Sequence, residues 1–331
     1  MKLCYFSCHA ILEYDELKLF EELGIDFFSF GSYVNPRLPV DQIRPPLDKP
    51  GNKEWMDKAP PRDNIPDEFL DQFDVFIFMH IPEWIEQYWD KIKHKRVIWR
   101  TIGQSTPKIE RKMKKYFDEG LEIVRYSPME KLIPGFAGES AIIRFYKDPE
   151  EFGKYNGRNM QAITFSQDMQ HRAEFCNYEA FTQIANGLPV KVFGPKNENL
   201  GTMNGGFLSY PEMRQTMRDS AVYIYTGTQP ACYTLNFIEA WMTGIPVVAI
   251  GPKYGNSMNI TQASTYEIPQ LLSNGVDGFW SDDIPSLRVH IKNLLKKPSL
   301  ATQIGRSGRE SAISVFGKGK IKKQWKEYLN V

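Results

Sequence analysis

Residues 222–250 read VYIYTGTQPACYTLNFIEAWMTGIPVVAI. The stretch opens on an apolar run ending at Tyr225 and passes through small and polar residues. It takes up apolar residues at helical spacing from near Thr234, then stops at Gly244 before the apolar run 246–250. Period and punctuation together predict a strand, a loop, a helix closed by glycine and a second strand. Strands joined through a helix run parallel and are covered on both faces, which is why they read as unbroken apolar runs.

The same rhythm extends outward in both directions. Strand-like runs at 161–165 and 190–193 alternate with helical patterns over 174–185 and 211–220. Towards the N-terminus, apolar runs at 2–6, 26–30, 75–79, 97–101, 123–126 and 141–145 alternate with helical patterns over 14–23, 83–91 and 107–119. The fold class expected is α/β, with two Rossmann-like doubly wound domains facing a cleft and a ligand at the carboxyl ends of their strands. The polar, glycine-containing segment 147–158 (KDPEEFGKYNGR) marks the boundary, giving domains over 1–150 and 158–316. Proline-rich residues 35–66 read as a long surface loop, either functional or a plain insertion.

At 331 residues the chain is long enough for two domains of roughly 150 residues each. A hydrophobic fraction of 42% with 24% charged residues excludes a disordered or fibrous chain. The net charge of +1 names no partner. Cys4, Cys8, Cys176 and Cys232 are scattered without zinc-site spacing and are expected to be reduced thiols. The N-terminal apolar run is soon interrupted by acids, so neither a leader nor a spanning helix is expected, and the protein is placed in the cytoplasm.

The chemistry is expected where strand 222–225 gives way to its helix. Free backbone amides at a helix start and the helix dipole both favour a diphosphate. Glu239, about one turn further on, is placed to accept hydrogen bonds from vicinal ribose hydroxyls. The plainer alternative is that every αβ unit has this form and a helical glutamate is merely solvated.

Glu239-Ala240-Trp241-Met242-Thr243-Gly244-Ile245-Pro246-Val247-Val248 resembles the second half of the E-x7-E, A-M-x-x-G-x-P-V-V pattern of the GT-B glycosyltransferases, specifically the retaining glycosyltransferase family four. In that family the second glutamate binds the donor ribose, a role that falls on Glu239. The first glutamate, which contacts the sugar, falls on Ala231 and is absent. The family's R-x4-K pair, which neutralises the leaving diphosphate, falls on Gln167 and Arg172, so one cation of two is kept. Without the resemblance Arg172 also reads as an ordinary surface arginine, and His171 beside it as a bystander. The segments 207–212 (FLSYPE), 274–279 (NGVDGF) and 299–310 (SLATQIGRSGRE) extend the likeness to roughly 160–329, and the basic helix 317–331, with Ile321, Trp325 and Leu329 at four-residue spacing, is similar to one that returns to the N-terminal domain.

The resemblance implies hexosyl transfer from a nucleoside diphosphate sugar, a UDP-sugar favoured, to a hydroxyl on a glycan, lipid-linked or other acceptor, with retention, and with no metal and no cofactor. Arg172 would be the catalytic cation. Thr226, Gly227 and Thr228 would shape the donor loop, amides of Tyr233, Thr234 and Leu235 would meet the phosphates, and Gln167 would lie on the donor side. Two rival readings keep the fold: a non-catalytic nucleotide-sugar-binding or scaffold protein, motivated by Ala231 and Gln167, and a sugar-nucleotide epimerase.

In the N-terminal half, His9 and His80 follow predicted strands and are candidates to orient a hydroxyl, the alternative being a structural histidine at a strand end. Arg100, Thr101 and Gln104 sit at the end of another strand and are candidate acceptor contacts. The basic runs 91–96, 111–115 and 318–326 read either as weak patches for an anionic acceptor or membrane surface, or as solvated helix faces, the second being favoured. No protein partner is indicated.

Overall fold

The computed structural model describes residues 1–31, 44 and 58–331, so most of the proline-rich stretch 35–66 lies outside the described residues. The chain divides into two compact units, Met1–Phe145 with Ile321–Val331, and Tyr146–Lys320.

The first unit is built on six parallel strands: β1 (Lys2–Phe6), β2 (Asp26–Ser29), β3 (Val75–Met79), β4 (Arg96–Arg100), β5 (Glu122–Arg125) and β6 (Ala141–Ile142), in the order β2-β1-β3-β4-β5-β6. Every residue of β3 (VFIFM) is buried, as a central strand covered on both faces requires. The core on one face is aromatic: Phe6 stacks on Phe78 with ring centroids 4.4 Å apart, and Phe28, Phe69, Phe73 and Trp89 belong to the same cluster. The helix Pro82–Ile92 adds Ile85, Tyr88, Trp89 and Ile92, spaced three and four apart on its buried face. The C-terminal helix Lys318–Leu329 ends in this unit, where Trp325 meets Phe20 edge-on at 5.3 Å. Its stripe of Ile321, Trp325 and Leu329 is buried.

The second unit has β7 (Asn159–Phe165), β8 (Val190–Phe193), β9 (Asn204–Gly206), β10 (Ser220–Tyr225), β11 (Val247–Ile250) and β12 (Phe279–Ser281), all parallel, in the order β12-β11-β10-β7-β8-β9. The segment 146–158 is built into this unit. Lys147 bridges Gly317, Phe152 is 1% exposed, and Tyr155 donates its hydroxyl to the Ala221 carbonyl at 3.0 Å. The polar reading of that segment missed Phe152 and Tyr155 as anchors, because two apolar side chains among charges show no period.

The helix Leu235–Thr243 ends at Gly244, whose φ of 87° suits glycine. It lies against the helix Pro298–Phe316 so closely that a Cβ on Gly305 would stand 1.9 Å from the Gly244 carbonyl oxygen. Gly305→Ala is therefore expected to destabilise the protein. Better helix propensity is worth about 1 kcal/mol, whereas forcing a methyl against backbone costs about 3 kcal/mol. The melting temperature should fall by roughly 4–8 °C, while Gly319→Ala, in a helix with no atom within 4 Å of the added Cβ, should not lower it. Equal melting temperatures for the two variants would refute this packing.

Candidate functional site

In each sheet the strand order reverses direction once. In an open α/β sheet that reversal leaves a crevice at the carboxyl ends of the two strands flanking it. The pair is β7 and β10 in the second unit, and β1 and β3 in the first.

In the second unit, β7 ends at Phe165 and leads into Ser166, Gln167 and a tight turn. Asp168, at φ 49°, accepts the Arg172 amide at 3.0 Å and meets His171 Nδ1 at 2.6 Å. Arg172 is partly buried and donates Nη1 to the Gln167 carbonyl at 3.2 Å, while Gln167 and His171 are exposed. The helix expected over 174–185 is broken in two, Ala173–Cys176 and Tyr178–Ala185, by Asn177 in a left-handed conformation. Asn177 Nδ2 donates to the Thr226 carbonyl at 2.8 Å and so ties the chain after β7 to the chain after β10. Asn236 makes the reciprocal tie, from the first turn of its helix to the Phe165 carbonyl at 2.7 Å. Sequence reasoning missed both asparagines. Their value lies in spanning two strand ends, which no local pattern records.

From β10 come Thr226, buried, then Gly227 at φ 72° and Thr228, both partly buried. Thr234 is the N-cap of helix Leu235–Thr243 and makes no side-chain capping bond to it; its hydroxyl donates to Tyr225 at 3.2 Å. Amides at this helix start are the donors an anion would need. The Tyr233 ring is fully buried, edge-on to Phe316 at 5.2 Å, so its contribution to a ligand is confined to its backbone. Ala231 is buried at the position where the resemblance places a sugar-contacting carboxylate.

Glu239 lies on the same helix face as Asn236, one turn later. It is 4% exposed, and its Oε1 pairs with Lys147 Nζ at 2.8 Å; the two side chains are 5% and 2% exposed. The plain alternative of a solvated helical glutamate is thereby excluded. Lys147 was not foreseen, since nothing in KDPEEF separates a buried lysine from its exposed neighbours. A backbone bridge to Gly317 fixes it in place.

In the first unit, His9 and His80 follow the two strands that flank the reversal. His9 caps the helix Ala10–Glu22, its Nδ1 accepting from the Leu12 amide at 3.4 Å. His80 sits at φ 63°, with its amide on the Arg100 carbonyl at 2.9 Å and a buried Nδ1 without a hydrogen-bond partner. Burial lowers its pKa, opposed by the charge of Glu83, so the neutral ring is favoured. Cys8, two residues after β1, is exposed, yet desolvation raises its thiol to about 11, which leaves it a poor nucleophile.

Two expected acceptor contacts prove to be core residues. Arg100 is fully buried, its Nε bonded to Glu16 Oε1 at 2.8 Å and its guanidinium 4.0 Å from the centre of the Phe145 ring. Thr101 is also fully buried and donates to Glu130 at 2.9 Å. A strand end alone does not make a side chain accessible, and the segment 101–105 after β4 is almost wholly buried. Gln104 alone of the three keeps partial exposure. The basic runs are largely paired within the chain: Lys91 with Asp67, Lys93 with Asp90, Arg96 with Glu122, Lys112 with Glu83 and Glu86, and Lys322 with Glu22. Paired charges on helix faces leave little net field for an anionic surface.

Among the described residues no group of three or more His, Cys, Asp or Glu could hold a metal ion, and no helix is long and apolar enough to cross a membrane.

Residues 178–316 match the family model described as glycosyl transferase-like. No curated protein sequence matches the chain. Among solved structures, sucrose-phosphate synthase from Thermosynechococcus elongatus is similar at a TM-score of 0.69 and 12% identity, over 100% of this chain and 98% of that one. A glycosyltransferase from Rickettsia africae is similar at 0.66 and 14%, over 99% and 98%. HepE from Anabaena, in complex with UDP and glucose, is similar at 0.64 and 14%, over 100% and 99%. Two six-stranded parallel sheets and these full-length structural likenesses give the chain the GT-B fold of glycosyltransferases, and its residues 178–316 match the glycosyl transferase-like family.

Proposed function

We propose that this protein transfers a hexosyl group from a nucleoside diphosphate sugar, UDP-linked in the favoured case, to a hydroxyl-bearing acceptor such as a glycan or a lipid-linked sugar, with retention of configuration. The observation that carries this reading is the crevice between β7 and β10, to which the sequence brings Arg172, the Gly227 loop and the uncapped start of helix Leu235–Thr243, with Glu239 one turn along it. Arg172 and the helix amides would offset the charge of the departing diphosphate, a task that in this reading needs neither metal nor cofactor. Glu239, kept as one half of an ion pair, would accept from ribose hydroxyls. His9 and His80 would serve the acceptor hydroxyl, and the reaction would take place in the cytoplasm. HepE, whose structures hold UDP-glucose in one case and UDP with glucose in another, supports the choice of UDP.

Thermal unfolding against UDP, GDP, ADP and their sugar conjugates, with chelator present, tests this, because a ligand selective for the folded chain raises the melting temperature. One nucleotide series should give a shift. Glu239→Ala should weaken that nucleotide by about 10–100-fold, the value of hydrogen bonds to a charged group. A shift that survives unchanged in Glu239→Ala would remove the ribose assignment. No shift with any nucleotide would favour the non-catalytic reading that Ala231 and Gln167 suggest.

A further inference from the structure

The second unit has a cavity of about 620 Å³ beside the donor loop, within the ~300–1,000 Å³ usual for small-ligand sites. One wall carries Glu174, Tyr178, Glu179 and Gln183, from the broken helix after β7; the other carries Tyr254 and Met258, from the chain after β11. A buried glutamine between the walls sets their separation. Gln229 donates Nε2 to Ser257 Oγ at 2.8 Å and to the Glu174 carbonyl at 3.3 Å, accepts the Met258 amide on Oε1 at 2.9 Å, and gives its own amide to the Phe175 carbonyl at 2.8 Å. It is 5% exposed, so these bonds are made out of water and the cavity is held in shape before any ligand arrives.

The lining selects the ligand. It includes two carboxylates, two primary amides, two phenol rings and a thioether, and no lysine, arginine or histidine. Lys253 lies over the Tyr254 ring, 5.4 Å from its centre, without lining the cavity. A phosphate here would find no cationic side chain to pair with, so this is not where a diphosphate belongs. A cationic ligand gains little, because Glu174 and Glu179 are exposed and their charges are screened by water. A neutral sugar ring suits both halves of the lining, its hydroxyls donating to the carboxylate and amide oxygens and its C–H face lying on an aromatic ring.

We propose that this cavity binds one pyranose-sized unit of a neutral glycan next to the donor loop. The proposal rests on the glycosyl-transfer reading for its biological sense, and on the cavity alone for its chemistry. Gln229 lies two residues from Gly227, so a sugar that braces the walls would also steady the loop facing the donor.

The test is titration calorimetry and saturation-transfer NMR of the full chain with methyl glucoside, N-acetylglucosamine, maltose and spermidine, alongside UDP. At least one saccharide should bind saturably, and Tyr254→Ala should weaken it by about 10-fold or more, equivalent to about 1.4 kcal/mol, with UDP binding unchanged. Gln183→Ala, an exposed helix position, provides a second variant in case the first folds poorly. No saturable saccharide binding, saccharide binding indifferent to both variants, or preferential binding of spermidine would each overturn the proposal. Failure of UDP to bind would instead count against the donor site, with the saccharide titrations still deciding the cavity.

Discussion

Lys147→Met is expected to lower stability by about 3–5 kcal/mol, the cost of breaking a buried ion pair by removing one of its charges. Lys147 and Glu239 meet at 2.8 Å with side-chain exposures of 2% and 5%, so water cannot replace the lost ammonium group. Equilibrium urea unfolding of the variant measures the loss, which should appear as a lower midpoint with an unchanged slope. The double variant Lys147→Met/Glu239→Gln should recover a large part of the stability, since a neutral amide tolerates burial better than a carboxylate that has lost its ammonium counter-charge. A Lys147→Met midpoint within experimental error of wild type would show that the pair is solvated in solution. Recovery of stability without recovery of nucleotide binding would separate the structural role of the pair from the ribose role proposed for Glu239.

Arg172→Ala should reduce kcat for transfer by about 100- to 1,000-fold, the usual effect of removing a donor aimed at developing negative charge. Arg172 stands at the carboxyl end of β7 in a turn fixed by Asp168, and the first cation of the R-x4-K pattern that the sequence resembles falls on Gln167, so the expected burden on Arg172 is larger than where two cations share the charge. Arg172→Lys should restore only part of the rate, because a point charge lacks the planar fork that grips phosphate oxygens. His171→Ala is the internal control. That ring is exposed and bonded to Asp168, and its removal should change kcat little. Single-turnover rates would decide the matter, and an Arg172→Ala rate within a few-fold of wild type would place the diphosphate elsewhere.

The fold was legible because it depends on periodicity. Runs such as VFIFM and VVAI can only be strands covered on both faces, and Gly244 before Ile245-Pro246 can only close a helix ahead of the next strand. The proximity of the residues proposed for the donor side was legible for a related reason. Gly227, Thr234 and Glu239 follow one another along a single strand-loop-helix unit, so their proximity is set by local geometry. The first unit was harder. Arg100 and Thr101 stand at a strand end as His9 and His80 do, yet Glu16 and Glu130, distant in sequence, turn them into core residues.

By itself, then, the sequence determined the alternation of strand and helix and the presence of two doubly wound units, because both follow from local period and chain direction, whereas the strand order that places the crevice in each sheet is tertiary. Tertiary structure alone decided which charged side chains are buried and with whom. Lys147 meets Glu239 although the two are far apart in the chain, Asn177 and Asn236 lace two strand ends together, and Gln229 spaces the walls of a cavity through bonds to residues up to 55 positions away. A hydrogen bond or ion pair of that kind depends on distance in space, and a single chain of letters carries only distance along itself.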